Sequence, residues 1–231
     1  GNNGICAQLT DDIALSGEWA PIGTNDYYYT GTFDGANHTV SGLSVTQAPD
    51  DSGFFADLGD GCVVKNLKVE GTVSTTKQYA GGIAGFAQKV SISNCSFAGS
   101  VSSTSGKGRV AGIVGGATSD PVSFSGCANK ASVSGRYAGG ILGFSNQACS
   151  FMNCYNAGAI TSTLRAGGIV GQTGKSRVDS YFASCFNVGE ISETAENHAG
   201  IAAWHNGTVS NSSVSNCFYT KPITSNAGGT N

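Results

Sequence analysis

Short runs of alternating apolar and polar residues recur along this chain at a nearly fixed distance. The phrase Tyr-Ala-Gly-Gly-Ile-Ala-Gly-Phe at residues 79–86 is the most legible of six copies between Cys62 and Tyr219. Aligning the copies gives columns. Ile83, Ile113, Ile141, Ile169 and Ile201 form one, each preceded by a glycine, with Gly53-Phe54 as a looser earlier member. A second holds Leu43, Leu67, Cys95, Cys127, Cys154, Cys185 and Cys217; three residues before these stand Val40, Val64, Ile92, Phe124, Phe151, Phe182 and Val214. Six residues after the last six come Val73, Val101, Val133, Ile160, Ile191 and Ile223. A phrase repeated at such a period marks one structural unit whose apolar face is covered by the next copy.

The columns predict an all-β chain, specifically a parallel β-helix of about seven rungs, right-handed, preceded by a capping segment. Apolar residues fall two or three apart within β-branched, serine-rich runs such as Val90-Ser91-Ile92-Ser93, with no sustained helical period. The 35 glycines would each cost roughly 1 kcal/mol inside a helix relative to alanine. The three-residue step from Ile92 to Cys95 requires a bend between two inward side chains. Asn66, Asn94, Asn153 and Asn216 occupy that bend, with Gly126 and Ser184 elsewhere, and these types tolerate left-handed backbone or bond locally to it. Asn129, Asn156 and Asn187 form a further column suited to an amide ladder along the coil. The expected organisation is a cap over residues 1–21, the solenoid over 22–223 and a polar tail over 224–231.

Charged residues make up only 12% of the chain, and their order is uneven. Residues 1–64 carry nine acids and no base, residues 65–178 eleven bases and two acids, and the remainder four acids and Lys221. A coil built in this order has an acidic end and a basic middle, able to attract an anionic chain or the opposite end of a neighbouring molecule. Nothing resembles an arginine-rich nucleic-acid module, so nucleic acid is not an expected partner. No apolar run approaches the roughly 18 residues of a membrane span, so direct membrane insertion is not expected either.

Eight cysteines raise the question of bridges or metal. Five lie in one column, where their side chains would point in parallel, slightly too far apart for unstrained bridging. Cys62 and Cys149 share another column three rungs apart. Buried free thiols acting as small hydrophobes are expected, with adjacent-rung bridges as the alternative. Without a CxxC pair or a nearby histidine, zinc has no site.

One column carries more chemistry than the others. Four residues before each repeat isoleucine stand Tyr79, Arg109, Tyr137, Arg165 and Asn197, alternating ring and guanidinium. Stacked at strand spacing they would form cation–π contacts, and the glycines that follow would turn them to the outside. They could serve as surface packing or bind a sugar or an anionic chain. Phe86, Phe144 and Trp204 share a nearby column and fit either exposed platforms or corner packing. Asp50, Asp51, Asp57 and Asp60 cluster around an early strand as solvated turns or a calcium loop. No cofactor is expected.

Polysaccharide cleavage on a β-helix needs paired carboxylates, and Asp120 is the lone acid between residues 71 and 178. There is no HExxH motif, and neither His38 nor His198 has an evident partner in the sequence; the third histidine is His205. An enzymatic role is therefore the weakest of three readings.

The phrases Gly82-Ile83-Ala84-Gly85, Gly140-Ile141-Leu142-Gly143 and Gly168-Ile169-Val170-Gly171 resemble the GLUG motif. Trp19-Ala20-Pro21-Ile22-Gly23, followed by Phe33-Asp34-Gly35-Ala36-Asn37-His38-Thr39-Val40-Ser41-Gly42-Leu43, is similar to the segment leading into such repeats. Gly116 departs from the aromatic at Phe86, and Ala203 from the final glycine. The resemblance spans residues 15–220 and implies a secreted or cell-surface bacterial or archaeal β-helix, part of a larger protein. It would act as an adhesin stalk or adhesive surface for a host or cell-surface glycan or protein, with no catalytic residues of its own. A ligand-free structural fibre associating end to end is the alternative.

Overall fold

The computed structural model describes residues 4–47, 51–119, 121–174, 180–192, 194–205 and 213–220, without the side chains of Trp204, His205 and Ser213. All regular structure among them is β-strand, gathered into three parallel sheets of eight, thirteen and six strands. The chain winds through the three in turn, making a β-solenoid of about seven coils. The first face runs Ala7–Gln8, Thr32–Asp34, Val63–Lys65, Ser91–Ser93, Val122–Ser125, Cys149–Met152, Tyr181–Ala183 and Ser213–Ser215. The second face includes Lys68–Thr75, Ser96–Ser103, Ser132–Gly139 and Ile160–Gly167. The third includes Phe55–Leu58, Ala84–Gln88, Val114–Thr118, Leu142–Ser145, Val170–Thr173 and Ala202–His205.

The corner between the first and second faces is the bend that the three-residue step requires. Asn66, Asn94, Gly126, Asn153, Ser184 and Asn216 have φ of 54°, 52°, 64°, 53°, 52° and 50°. This left-handed backbone is costly for most L-residues and open to glycine and asparagine. Asn94 Nδ2 donates to Asn66 Oδ1 at 3.2 Å, and Asn66 Nδ2 to Asp34 Oδ1 at 3.0 Å, so the corner is tied from rung to rung.

Inside, like side chains stack on like. Phe124, Phe151 and Phe182 lie nearly parallel, with centroids 5.1 and 4.9 Å apart, and Phe124 and Phe151 have no exposed surface. Truncating such a ring to alanine removes about 3–5 kcal/mol. On the other side of the corner Cys95, Cys127, Cys154 and Cys185 are buried, and backbone bonds tie each to the next rung. All eight cysteines are unbridged. Burial pushes the Cys62 and Cys95 thiols up to about 12. The Cys154 thiol is raised mainly by its contact with Cys127, and the Cys185 thiol, to about 12, by its contact with Cys154. They behave as small apolar groups.

The buried amide ladder is present. Asn129 Nδ2 donates to Asn156 Oδ1 at 2.7 Å, and Asn156 Nδ2 to Asn187 Oδ1 at 2.6 Å. Each amide also holds the carbonyl two residues on, at Ala131, Gly158 and Gly189. Across the core, Gly112, Gly140 and Gly168 press against these three asparagines, leaving no room for a Cβ.

The first rung is registered differently from its expected alignment. Phe33, not Val40, pairs with Val64, while Val40 pairs with Val69, and Leu43 stands opposite Gly71 rather than in the column of Leu67. Two extra residues in the corner at 35–38, plus a bulge between Val40 and Leu43, absorb the difference. At the acidic end, Trp19 stacks on Phe54 with centroids 5.1 Å apart and donates its Nε1 to the Phe54 carbonyl at 2.9 Å, covering the end of the core. The segment before it is more than a cap, since Ala7–Gln8 and Ile13–Ala14 pair in parallel with the first rung. Ile223 and the proposed tail lie outside the described residues.

Candidate functional site: the tyrosine–arginine groove

The repeat phrase builds one corner of the coil. Ala80, Val110, Ala138 and Ala166 point into the core at the end of the second face, two residues turn the chain, and the isoleucine column fills the interior behind the turn. The third face then begins with Ala84, Val114, Leu142 and Val170, also buried. The glycine after each of these faces the strand of the preceding rung. A Cβ on Gly115 would lie 2.5 Å from the Ala80 backbone nitrogen, one on Gly143 2.6 Å from that of Val110, and one on Gly171 2.9 Å from that of Ala138. The second and third faces therefore close backbone to backbone at the corner, which only glycine permits.

At the mouth of this corner the stripe stands in register, Tyr79 with Arg109, Arg109 with Tyr137, Tyr137 with Arg165 and Arg165 with Asn197. A second column faces it, running Phe86, Gly116, Phe144, Gln172 and Trp204. Each member lies seven residues after its partner in the stripe, a constant spacing that could have revealed the pairing. The two columns interlock. Tyr79 packs on Phe86 at 4.9 Å and Tyr137 on Phe144 at 5.3 Å. The Arg109 guanidinium lies 3.7 Å from the Phe144 centroid and 5.0 Å from that of Tyr79, and the Arg165 guanidinium 5.5 Å from that of Tyr137. Arg109 Nη1 also donates to the Tyr79 hydroxyl, and Arg165 Nη1 to Gln172 Oε1. Gly116 replaces an aromatic because the Tyr79 ring occupies the space where its Cβ would be.

The stripe is therefore half-buried rather than displayed on the outside, because the sharp glycine corner folds the third face against it. Burial raises the Tyr79 pKa and lowers that of Arg165. Contacts of this kind contribute about 0.5–2 kcal/mol each, more as they are desolvated. Phe144 is corner packing, with 6% of its surface exposed. The backbone of Trp204 pairs with Gln172, while its side chain lies outside the described residues. The groove can stack on a ligand and attract an anion, but its Tyr79 hydroxyl and one Nη of each arginine are already engaged.

Asp57 is fully buried in the third face opposite Phe86, and Asp60 pairs with Lys89 at 3.0 Å. Asp51 sits beside Gly85, and Asp50 lies outside the described residues. Among the described residues no three His, Cys, Asp or Glu side chains gather to hold a metal ion. His38 does have a partner, its Nδ1 lying 3.3 Å from Asp12 Oδ1, and His198 Nδ1 lies 3.3 Å from the Ala195 carbonyl. Among the described residues no helix is long and apolar enough to cross a membrane.

No family model matches the chain, and no curated protein matches it. Among solved structures the chain is similar to a crystal structure from Bacteroides ovatus named "putative immunoglobulin A1 protease". The likeness has a TM-score of 0.80 at 24% identity and covers 97% of this chain and 71% of that one. At that identity the common property is the fold, a parallel β-solenoid.

Proposed function

We propose that this chain is a non-catalytic repeat module of an extracellular or cell-surface protein, of the GLUG type, serving as an adhesin stalk or adhesive surface for a host or cell-surface glycan or protein. The observation that carries this reading is what the repeat phrase is used for. The glycine before its isoleucine makes room for the core ladder in the middle copies, the isoleucine fills the interior, and its last glycine lets two sheets close. The recurring residues are thus spent on architecture, leaving the outward positions free to vary with the ligand. Outward side chains of the central rungs include Ser134, Thr161, Thr163, Tyr181, Lys107 and Arg136, which suits recognition of a polar or anionic surface.

A glycan array and a surface-protein screen with the isolated chain test the proposal, comparing wild type with Arg109→Ala/Arg165→Ala. Selective retention of one ligand class is expected. Absence of any retained class would refute the adhesive reading, and equal binding by the double variant would remove the groove as its site. A ligand-free fibre is the second reading, favoured by the exposed outer strands Ala7–Gln8 and Ile13–Ala14, which offer strand edges for pairing. Light scattering that rises with concentration would support it. The name of the structural neighbour suggests a peptidase; incubation with immunoglobulin A1 is expected to leave the antibody intact, and specific fragments would overturn the non-catalytic assignment.

A further inference from the structure

Where the second face bends toward its glycine corner, successive rungs carry connections of different length. Between Ser96–Ser103 and Arg109–Ala111 five residues loop out, and on a later rung residues 192–196 separate the Ile160–Ile191 bridge from Asn197–Ala199. The two rungs between have no loop, since Ser132–Gly139 and Ile160–Gly167 run through as single strands. Their register shifts between Gly135 and Tyr137, and a Cβ on Gly135 would collide with the Val110 side chain, so this stretch is held close to the core. The result is a recess of about 360 Å³. One wall is Ser103 to Gly106, the floor Ser134 to Arg136 and Thr161 to Thr163, and the far wall Thr194.

The lining has a marked chemistry: hydroxyls, glycine and one guanidinium, with no aromatic and no acid among the described lining residues. Two hydroxyls hold the recess together, Ser103 Oγ donating to the Lys77 carbonyl at 2.6 Å and Ser162 Oγ to the Arg136 carbonyl at 2.7 Å. Ser134, Thr161 and Thr163 are exposed, and their hydroxyls can both donate and accept. Arg136 donates one Nη1 hydrogen to the Gly106 carbonyl at 3.0 Å, which holds its side chain at the recess, and among the described residues its other N–H groups have no partner. A guanidinium so placed presents a planar fork matched to a carboxylate. Exposed Lys107 on the adjoining loop adds positive charge.

We propose that this recess binds a carboxylate-bearing sugar residue, with Arg136 on the carboxylate and Ser134, Thr161 and Thr163 on the ring hydroxyls. The inference rests on the adhesive reading above and names its site and ligand class. It places recognition on the hydroxyl-lined strand stretch 134–136 and 161–163 rather than in the tyrosine–arginine groove, where the Tyr79 hydroxyl, Gln172 Oε1 and one Nη of each arginine are committed to one another.

The test is a titration of the ¹⁵N-labelled chain with glucuronic acid, galacturonic acid and N-acetylneuraminic acid, with glucose and glucose 6-sulfate as controls, followed by amide shifts. At least one acidic sugar should move amides of residues 134–136 and 161–163, and Arg136→Ala should weaken it at least tenfold. Thr161→Val, which leaves the charge in place, should weaken it several-fold. Equal response to glucose, preference for the sulfate, or silence at these amides overturns the proposal. If the array retains a glycan whose binding neither variant changes, this site is wrong while the adhesive reading stands. If nothing is retained on the array and no amide moves, both fail.

Discussion

Replacing Asn156 by alanine removes the centre of the buried ladder, and its cost can be worked from the bonds it breaks. The Asn156 amide accepts from Asn129 at 2.7 Å and donates to Asn187 at 2.6 Å and to the Gly158 carbonyl at 2.9 Å. Its side chain is fully buried. A buried hydrogen bond contributes about 1 kcal/mol net, and a stranded partner costs roughly 1–3 kcal/mol. The neighbours are not left wholly bare, because Asn129 retains the Ala131 carbonyl and Asn187 Oδ1 retains the Gly189 N–H at 3.1 Å. The expected loss is therefore about 3–5 kcal/mol, a large share of a stability of roughly 5–15 kcal/mol. Urea unfolding followed by far-ultraviolet circular dichroism and by tyrosine fluorescence measures it, and coincidence of the two curves tests whether the coil unfolds as one unit. The corner substitution Asn94→Gly is the companion control, since glycine accepts the φ of 52° there and only a 3.2 Å bond to Asn66 is lost. A loss below about 1 kcal/mol for Asn156→Ala, or an equal loss for both variants, would refute the view that the inner ladder holds the rungs together.

Gly143→Ala should be poorly tolerated, by more than about 2 kcal/mol or by failure to fold, because its Cβ would meet the Gly115 carbonyl oxygen at 2.5 Å and the Val110 nitrogen at 2.6 Å. Gly106→Ala, with nothing within 4 Å, should change the urea midpoint little. Ellman titration of the native chain should detect the exposed Cys6 rapidly and the half-buried Cys217 more slowly, with the six buried thiols appearing after denaturation; fewer than eight in denaturant would reveal bridges. The carboxylates of Asp12 and Glu18 are lowered from their ordinary values of 3.8 and 4.5, chiefly by backbone N–H bonds from Thr39 and Thr46. A depressed folded value means their contribution is present above the ordinary value and lost as pH falls below it. Protection of the Thr39, Thr46 and Gln47 amides against exchange, relative to the unfolded chain at the same pH, should therefore fall below about pH 4 ahead of the central rungs, and a uniform fall would contradict this.

The columns of the middle rungs were legible because each position has one neighbour above and one below, so a packing constraint on one copy appears in every copy. Val73, Val101, Val133, Ile160 and Ile191 pair as their spacing predicts. The first rung was misaligned at Val40 and Leu43 because a two-residue insertion and a bulge, both on that rung, move its residues out of the columns that sequence spacing aligns. At the site, the stripe was visible as a column, but its half-burial was not. That depends on the angle between two sheets, which the glycines permit and the alternation of apolar residues does not encode. Asp57 likewise read as a turn acid because the sequence does not show that its strand carries an interior carboxylate.

A row of amides is a vector, and the two rows in this coil point in opposite directions. In the interior each Nδ2 aims toward the carboxyl-terminal neighbour, whereas at the corner Asn94 and Asn66 aim toward the amino-terminal one. The corner row ends on Asp34, which accepts from Asn66 and is paired with Lys65 at 3.1 Å. A rung grafted ahead of residue 34 can continue this row with asparagine in place of Asp34 and leave its last amide to solvent. Insertions among the middle rungs can simply copy asparagine.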